Sequence, residues 1–248
     1  MPIDVWSVTA AAAVTCLATG LGALPFVFVR NGLARHWLGV SNAIASGFML
    51  AASVGLLWQG WALGAGRLGW GAAAGALFIF GFRKLLGDRE DIVLGRLSGA
   101  DARKALVIIA VMTAHSASEG VGVGVSYGSS EKLGLLITLA IAIHNIPEGL
   151  AISLVLVPRG ATVGSAAGWS VFSSLPQPLV APVAYLFVEQ FRLFLPVGLG
   201  FAAGAMIWMV CSELLPEAAR DARWGALALG GGVSFVAMLG LQLGMFGI

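Results

Sequence analysis

A histidine followed four residues later by a Glu-Gly pair occurs twice in this chain. His115 and Glu119 lie in the run His-Ser-Ala-Ser-Glu-Gly, and His144 and Glu148 lie in His-Asn-Ile-Pro-Glu-Gly, 29 residues further on. On a helix, residues four apart share one face, a single turn from each other. An imidazole nitrogen beside a carboxylate oxygen is a ligand set for zinc and its first-row neighbours. The chain has only three histidines, and two of them are used here. Each pair alone could be a local hydrogen-bonded unit. Two matched pairs on consecutive apolar segments favour a shared divalent-metal site.

The elements that carry these motifs are membrane-length. The chain is 58% hydrophobic and 10% charged, against about 25% charged for an ordinary soluble domain. Eight apolar runs are visible, over residues 5–29, 38–59, 68–82, 105–127, 133–157, 163–188, 194–215 and 225–246. Most reach the roughly 20 residues that a spanning helix needs. The third is short because Arg83 and Lys84 follow it directly. The 35 glycines suit membrane helices whose backbones pack closely. The expected fold is therefore all-α and integral to the membrane, with eight transmembrane helices in one polytopic domain, residues 1–248.

Charge placement orients it. The loops after spans 1, 3, 5 and 7 share one side with Arg30, Arg35, Arg83, Lys84, Arg89, Arg96, Arg103, Lys104, Arg159, Arg220 and Arg223. The other side has Arg67, Lys132 and Arg192, so the bias is eleven against three. By the positive-inside rule the first side is cytoplasmic and both termini are extracytoplasmic. The largest loop, 87–104, falls on the cytoplasmic side. No basic n-region precedes the first span, so no cleavable signal is expected. A formal charge of +2, without basic runs interleaved by aromatics, excludes a nucleic-acid binder. Cys16 and Cys211 fall within spans and read as small apolar residues.

Of the twelve acids, only Glu119, Glu148 and Glu213 lie at membrane depth. Ionisable groups there are costly and mark function. His115 lies thirteen residues before Gly128, and His144 twelve after Lys132. At about 1.5 Å per residue, both motifs reach the same depth near the midplane. Spans 4 and 5 run antiparallel, so two imidazoles and two carboxylates can converge on one metal, or on two with bridging carboxylates. Pro147 removes a backbone donor and frees a carbonyl near Ile143, a further ligand for an ion or its water.

These residues resemble the ZIP metal transporters. The run Ala-Ile-His144-Asn-Ile-Pro-Glu-Gly-Leu is similar to the fifth-span signature of that family, especially its bacterial and plant branch of broad divalent-metal use. Thr19-Gly-Leu-Gly-Ala-Leu-Pro25 is similar to the family's first span and Gly47-Phe-Met-Leu-Ala-Ala-Ser53 to its second. Ser173-Ser-Leu-Pro-Gln-Pro178 resembles the sixth, and the segment from Gly204 through Glu213-Leu-Leu-Pro-Glu217 the seventh.

The resemblance implies uptake of divalent metal toward the cytoplasm, with His115, Glu119, His144 and Glu148 as the primary ligands. Ser116 and Asn145 would face a second metal position. Relatives often carry an acid where this chain has Gln177, whose neutral amide is a weaker ligand. The fourth span has Ser116 and Ser118 where relatives carry Asn and Pro, which implies a straighter helix. Glu213 is a candidate outer ligand, proton acceptor or helix-end acid. Spans 1, 4, 5 and 6 would form one unit against spans 2, 3, 7 and 8. The expected cargo is Zn2+, with Fe2+, Mn2+, Co2+ and Cd2+ fitting the same donors. No resident cofactor and no catalytic residue is expected. The partners are the lipid bilayer, the metal and a second copy in a homodimer, and the location is the cell (inner) membrane. Two rivals share these residues, an integral-membrane zinc hydrolase and a metal-selective channel. Against the hydrolase, no HExxH motif occurs.

The topology predicts that a cysteine introduced in the 87–104 loop reacts with an impermeant maleimide only from the cytoplasmic face. Labelling of intact cells from outside would reverse the orientation.

Overall fold

The computed structural model describes residues 4–28, 35–86 and 99–246, and every regular element among them is a helix. α1 (Val5–Gly20) passes through a 3-10 turn, Leu21–Ala23, into the short α2 (Pro25–Phe28). Then come α3 (Arg35–Leu86), α4 (Gly99–Ser129) and α5 (Glu131–Leu156). α6 (Val163–Ser174) and α7 (Pro176–Gln190) form one broken rod. α8 (Leu195–Met209), a π-helical turn at Val210–Leu214 and α9 (Leu215–Asp221) form another, and α10 (Trp224–Phe246) follows.

Local chemistry sets the helix ends. Asp4 caps α1 by accepting from Ser7 N at 2.8 Å, and Thr162 caps α6 by accepting from Ser165 N at 3.1 Å. Pro176, Pro196 and Pro216 stand in the first turns of α7, α8 and α9, where a missing N–H costs no helical bond. Among the described residues, six stretches are long and apolar enough to cross a bilayer: Val5–Phe28, Gly39–Leu85, Glu131–Arg159, Val163–Gln190, Arg192–Asp221 and Trp224–Gly244. α4, 31 residues long, carries the first His–Glu motif.

α3 contains two of the predicted spans and breaks between them at Gly64. Its φ of 147° and ψ of 94° are open to glycine and strained for other residues. Gly60 and Leu68 would stand about 12 Å apart along a continuous helix. Instead, a methyl group on Gly60 would come within 2.4 Å of Leu68 Cδ1, so the chain doubles back. Arg67 fastens the turn by donating to the carbonyls of Leu193 and Leu63. Exposed Trp58, Trp61 and Trp70 surround it, as interfacial tryptophans do.

Three boundaries differ from the sequence reading. The third span continues through Arg83 and Lys84 to Leu86, because Arg83 reaches Glu213 (3.5 Å) and the Ser212 carbonyl (3.4 Å) on the neighbouring rod. The loop expected over 87–104 is helical from Gly99 onward. Its remaining residues, 87–98, with Arg89 and Arg96, lie outside the described residues, as does Arg30. The loop between the two motif helices shrinks to one residue. Ser130, in extended backbone, accepts from Leu133 N at 3.2 Å and starts α5 immediately.

The helices pack in two groups. α1, α4, α5, α6 and α7 pack together, and α8, α9 and α10 each pack against α3. The groups meet mainly where α5 lies on α3 and α4 lies on α8. This matches the division of spans expected from the family resemblance. Within each group, glycines interlock with backbone. A methyl on Gly75 would lie 2.0 Å from the Phe201 carbonyl oxygen, one on Gly204 2.0 Å from that of Ala72, and one on Gly124 2.1 Å from that of Ala181. At the seam, side chains touch instead: Gly122 faces the Ala202 methyl and Gly198 faces Val125. Fully buried Met49, Met206 and Met209 lie in the main core.

Gly75→Leu is expected to destabilise the bundle by about 1–3 kcal/mol through overpacking. Gly81→Leu, where nothing lies within 4 Å of the added atom, should leave the unfolding midpoint in detergent unchanged. Equal effects would refute the interlock.

Candidate metal centre

The His–Glu motifs converge. α4 supplies His115 and Glu119, α5 supplies His144 and Glu148, and one ligand atom from each lies within 4.8 Å of every other. All four are buried. His115 Nε2 is 3.4 Å from Glu119 Oε1 and 3.3 Å from Glu148 Oε1. His144 Nε2 contacts the same Glu119 Oε1. The one-residue link at Ser130 keeps the helices antiparallel and in register, so both motifs reach the same level. α4 is uninterrupted, and α5 continues through Pro147.

This cluster is under-bonded. Neither ring nitrogen of His115 makes a hydrogen bond, and His144 Nδ1 and Glu148 Oε1 lack partners too. Buried polar atoms are normally paired, so several orphaned donors and acceptors around one point indicate a place for a ligand. Two imidazoles and two carboxylates could hold one divalent cation by nitrogen and oxygen, within the repertoire of zinc.

Around the cluster is a second layer. Gln177, at the start of α7, donates from Nε2 to Glu119 Oε2 at 2.6 Å. Its Oε1 lies 2.5 Å from the Thr15 hydroxyl and accepts from Asn145 Nδ2 at 3.2 Å. Asn145 also donates to the Thr15 carbonyl at 2.8 Å. Ser116 Oγ and Asn145 Oδ1 are buried without partners. Ser118 turns back on its own helix, donating to the His115 carbonyl. Glu213 lies outside the group of four and pairs with Arg83 across the seam of α3 and the π-helical turn. His36 is exposed in the first turn of α3 beside Trp37.

Sequence reasoning did not single out Thr15, and it read Arg83 only as a basic residue closing the third span. A threonine in an apolar span commonly bonds its own helix, and an arginine at a span end commonly faces lipid headgroups, so neither carried a signal. The sixth span breaks at Leu175, just before Pro176 and Gln177.

The family model for the ZIP zinc transporters matches residues 88–247, about two-thirds of the chain and both His–Glu motifs. The chain belongs to the ZIP family. It is a multi-pass integral membrane protein, as the apolar helices and the family together require. A putative zinc transporter of Arabidopsis thaliana is 46% identical to it over 230 residues, which cover 91% of this chain and 36% of that relative. The chain thus spans little more than a third of the length of the curated relative it matches.

Thr15→Val keeps the shape of the side chain and removes the hydroxyl against Gln177. It is expected to cost about 1 kcal/mol, the worth of one buried hydrogen bond, as a lowered unfolding midpoint in detergent. An unchanged midpoint would remove Thr15 from the network.

Proposed function

We propose that this ZIP protein carries divalent metal, Zn2+ foremost, across the membrane toward the cytoplasm, through a site made by His115, Glu119, His144 and Glu148. The observation that carries the reading is the convergence of four buried nitrogen and oxygen donors from two antiparallel helices. Eight crossings with both termini extracytoplasmic fit the eleven-to-three distribution of Lys and Arg. The doubling of α3 at Gly64 supports counting it as two crossings. The bilayer and the metal are the partners, with a homodimer in the cell membrane as the assembly.

The chemistry suits carriage. A closed thiolate site holds zinc as a structural element, whereas mixed imidazole and carboxylate donors select the ion and still release it. Fe2+, Mn2+, Co2+ and Cd2+ accept the same donors, so competition among them is part of the reading. Ser116 and Asn145, one residue beyond each histidine, offer oxygen atoms to a hydrated ion beside the site. Glu213, paired with Arg83, is an acid that an ion could meet after leaving it. Family membership supports transport over a membrane hydrolase, and flux that saturates at micromolar metal would favour a carrier over a channel.

The test is zinc uptake into proteoliposomes loaded with a zinc-sensitive dye. Wild type should give saturable flux that Cd2+, Fe2+ and Mn2+ inhibit. Glu148→Ala and His144→Ala, reconstituted at equal density, should fall to the level of empty vesicles while keeping wild-type elution in detergent. Wild-type flux through His144→Ala would refute the site.

A further inference from the structure

The two oxygens of Glu119 have different surroundings. Oε1 faces the imidazoles of His115 and His144. Oε2 accepts from Gln177 Nε2 at 2.6 Å. An amide nitrogen has only hydrogens to offer and no lone pair for a metal. The atom of Gln177 nearest the carboxylate therefore cannot be a ligand in this arrangement.

The amide is also held in that sense. Its oxygen takes the Thr15 hydroxyl at 2.5 Å and Asn145 Nδ2 at 3.2 Å. Rotating the amide by half a turn would set its NH2 against the Asn145 NH2 and its oxygen against a carboxylate oxygen. Both contacts would be lost in a region with no water-exposed alternative, since Thr15, Glu119, Asn145 and Gln177 are each fully buried. The backbone adds a second restraint. Methyl groups on Gly120 and Gly124 would lie 2.9 Å from the Gln177 carbonyl oxygen and 2.1 Å from that of Ala181, so α7 is seated directly on α4 at this level. Pro176, following the break at Leu175, fixes where α7 begins.

We propose that Gln177 is a positioning residue that limits the centre to a single metal: its N–H occupies the face of Glu119 where a second cation would have to sit, and it fixes the carboxylate so that Oε1 alone is presented. This rests on the reading that His115, Glu119, His144 and Glu148 bind the transported ion. A neutral donor does here what a second cation does when two metals share a carboxylate. It satisfies the outer oxygen without adding charge. Gln177→Glu replaces the donor with lone pairs and opens the second position. Gln177→Ala frees the carboxylate to rotate and weakens the single site.

Equilibrium dialysis of the full chain in detergent against Zn2+, with bound zinc counted by atomic emission, tests this. The expected result is one equivalent for wild type, two for Gln177→Glu, and one for Gln177→Ala with affinity reduced about tenfold, as for outer partners of metal ligands. Gln177→Glu transport should change its metal preference while its elution volume stays at the wild-type value. Two tight equivalents in wild type, one of them lost in Gln177→Ala, Ser116→Ala or Asn145→Ala, would overturn the proposal, because a second metal site would already exist. A single equivalent in Gln177→Glu with unchanged affinity in Gln177→Ala would overturn it as well. His144→Ala separates the underlying reading from the proposal: if it retains the wild-type equivalent, the four-residue site itself is wrong. The wild-type count decides against the proposal even where a variant does not fold.

Discussion

The carboxylate of Glu119 is the point on which the site depends. One of its oxygens meets imidazoles from two helices, and the other meets an amide from a third. Removing a carboxylate from water costs several kcal/mol even after the surroundings relax. That cost is tolerable only if every partner arrives at hydrogen-bonding distance. α4, α5 and α7 must therefore hold their relative heights and rotations closely, and much of the remaining packing serves that requirement.

The motif itself contains part of the solution. Each glutamate is followed by a glycine, one position further round the helix. Gly120 presents bare backbone to α7 beside Gln177, and Gly149 meets the Thr19 carbonyl, where a methyl would come within 1.7 Å. The glutamate turns inward to the site while the adjacent glycine lets the neighbouring helix press against the same turn. The chemistry and the close approach that frames it are thus encoded in two consecutive residues, twice. Gly22 answers from the other side, facing the backbone at Leu150 and Ile146. α1 is drawn against α5 at the level where Thr15 reaches the polar network.

The pairing of the four donors was legible because histidines and deep acids are rare here, and a shared four-residue spacing is conspicuous against an apolar background. The helical class was legible from apolar runs long enough to span a bilayer. What escaped depended on neighbours distant in sequence. Thr15 is 162 residues from Gln177, and nothing local distinguishes it from Thr9, which bonds its own helix. The span that Arg83 was expected to end continues because Glu213, on another rod, supplies a partner. The π-helical turn at Val210–Leu214 has no proline or glycine to announce it. The one-residue link at Ser130 was not legible either, because it depends on packing between the helix ends it joins. In the fold, the ring of Tyr127 lies where a side chain on Gly134 would stand, and that contact tightens the connection.

A one-residue link has no slack. α4 and α5 are effectively a clasp closed at one end, and the four donors they carry lie within 4.8 Å of one another. Where glycine meets carbonyl, neighbouring helices are geared together. Along the seam with α3 and α8, smooth methyl and thioether surfaces face each other and offer little resistance to sliding. The clasp, with α1, α6 and α7 packed on it, therefore meets α3 and α8 across a plane of side chains, where no described glycine is pressed onto a carbonyl.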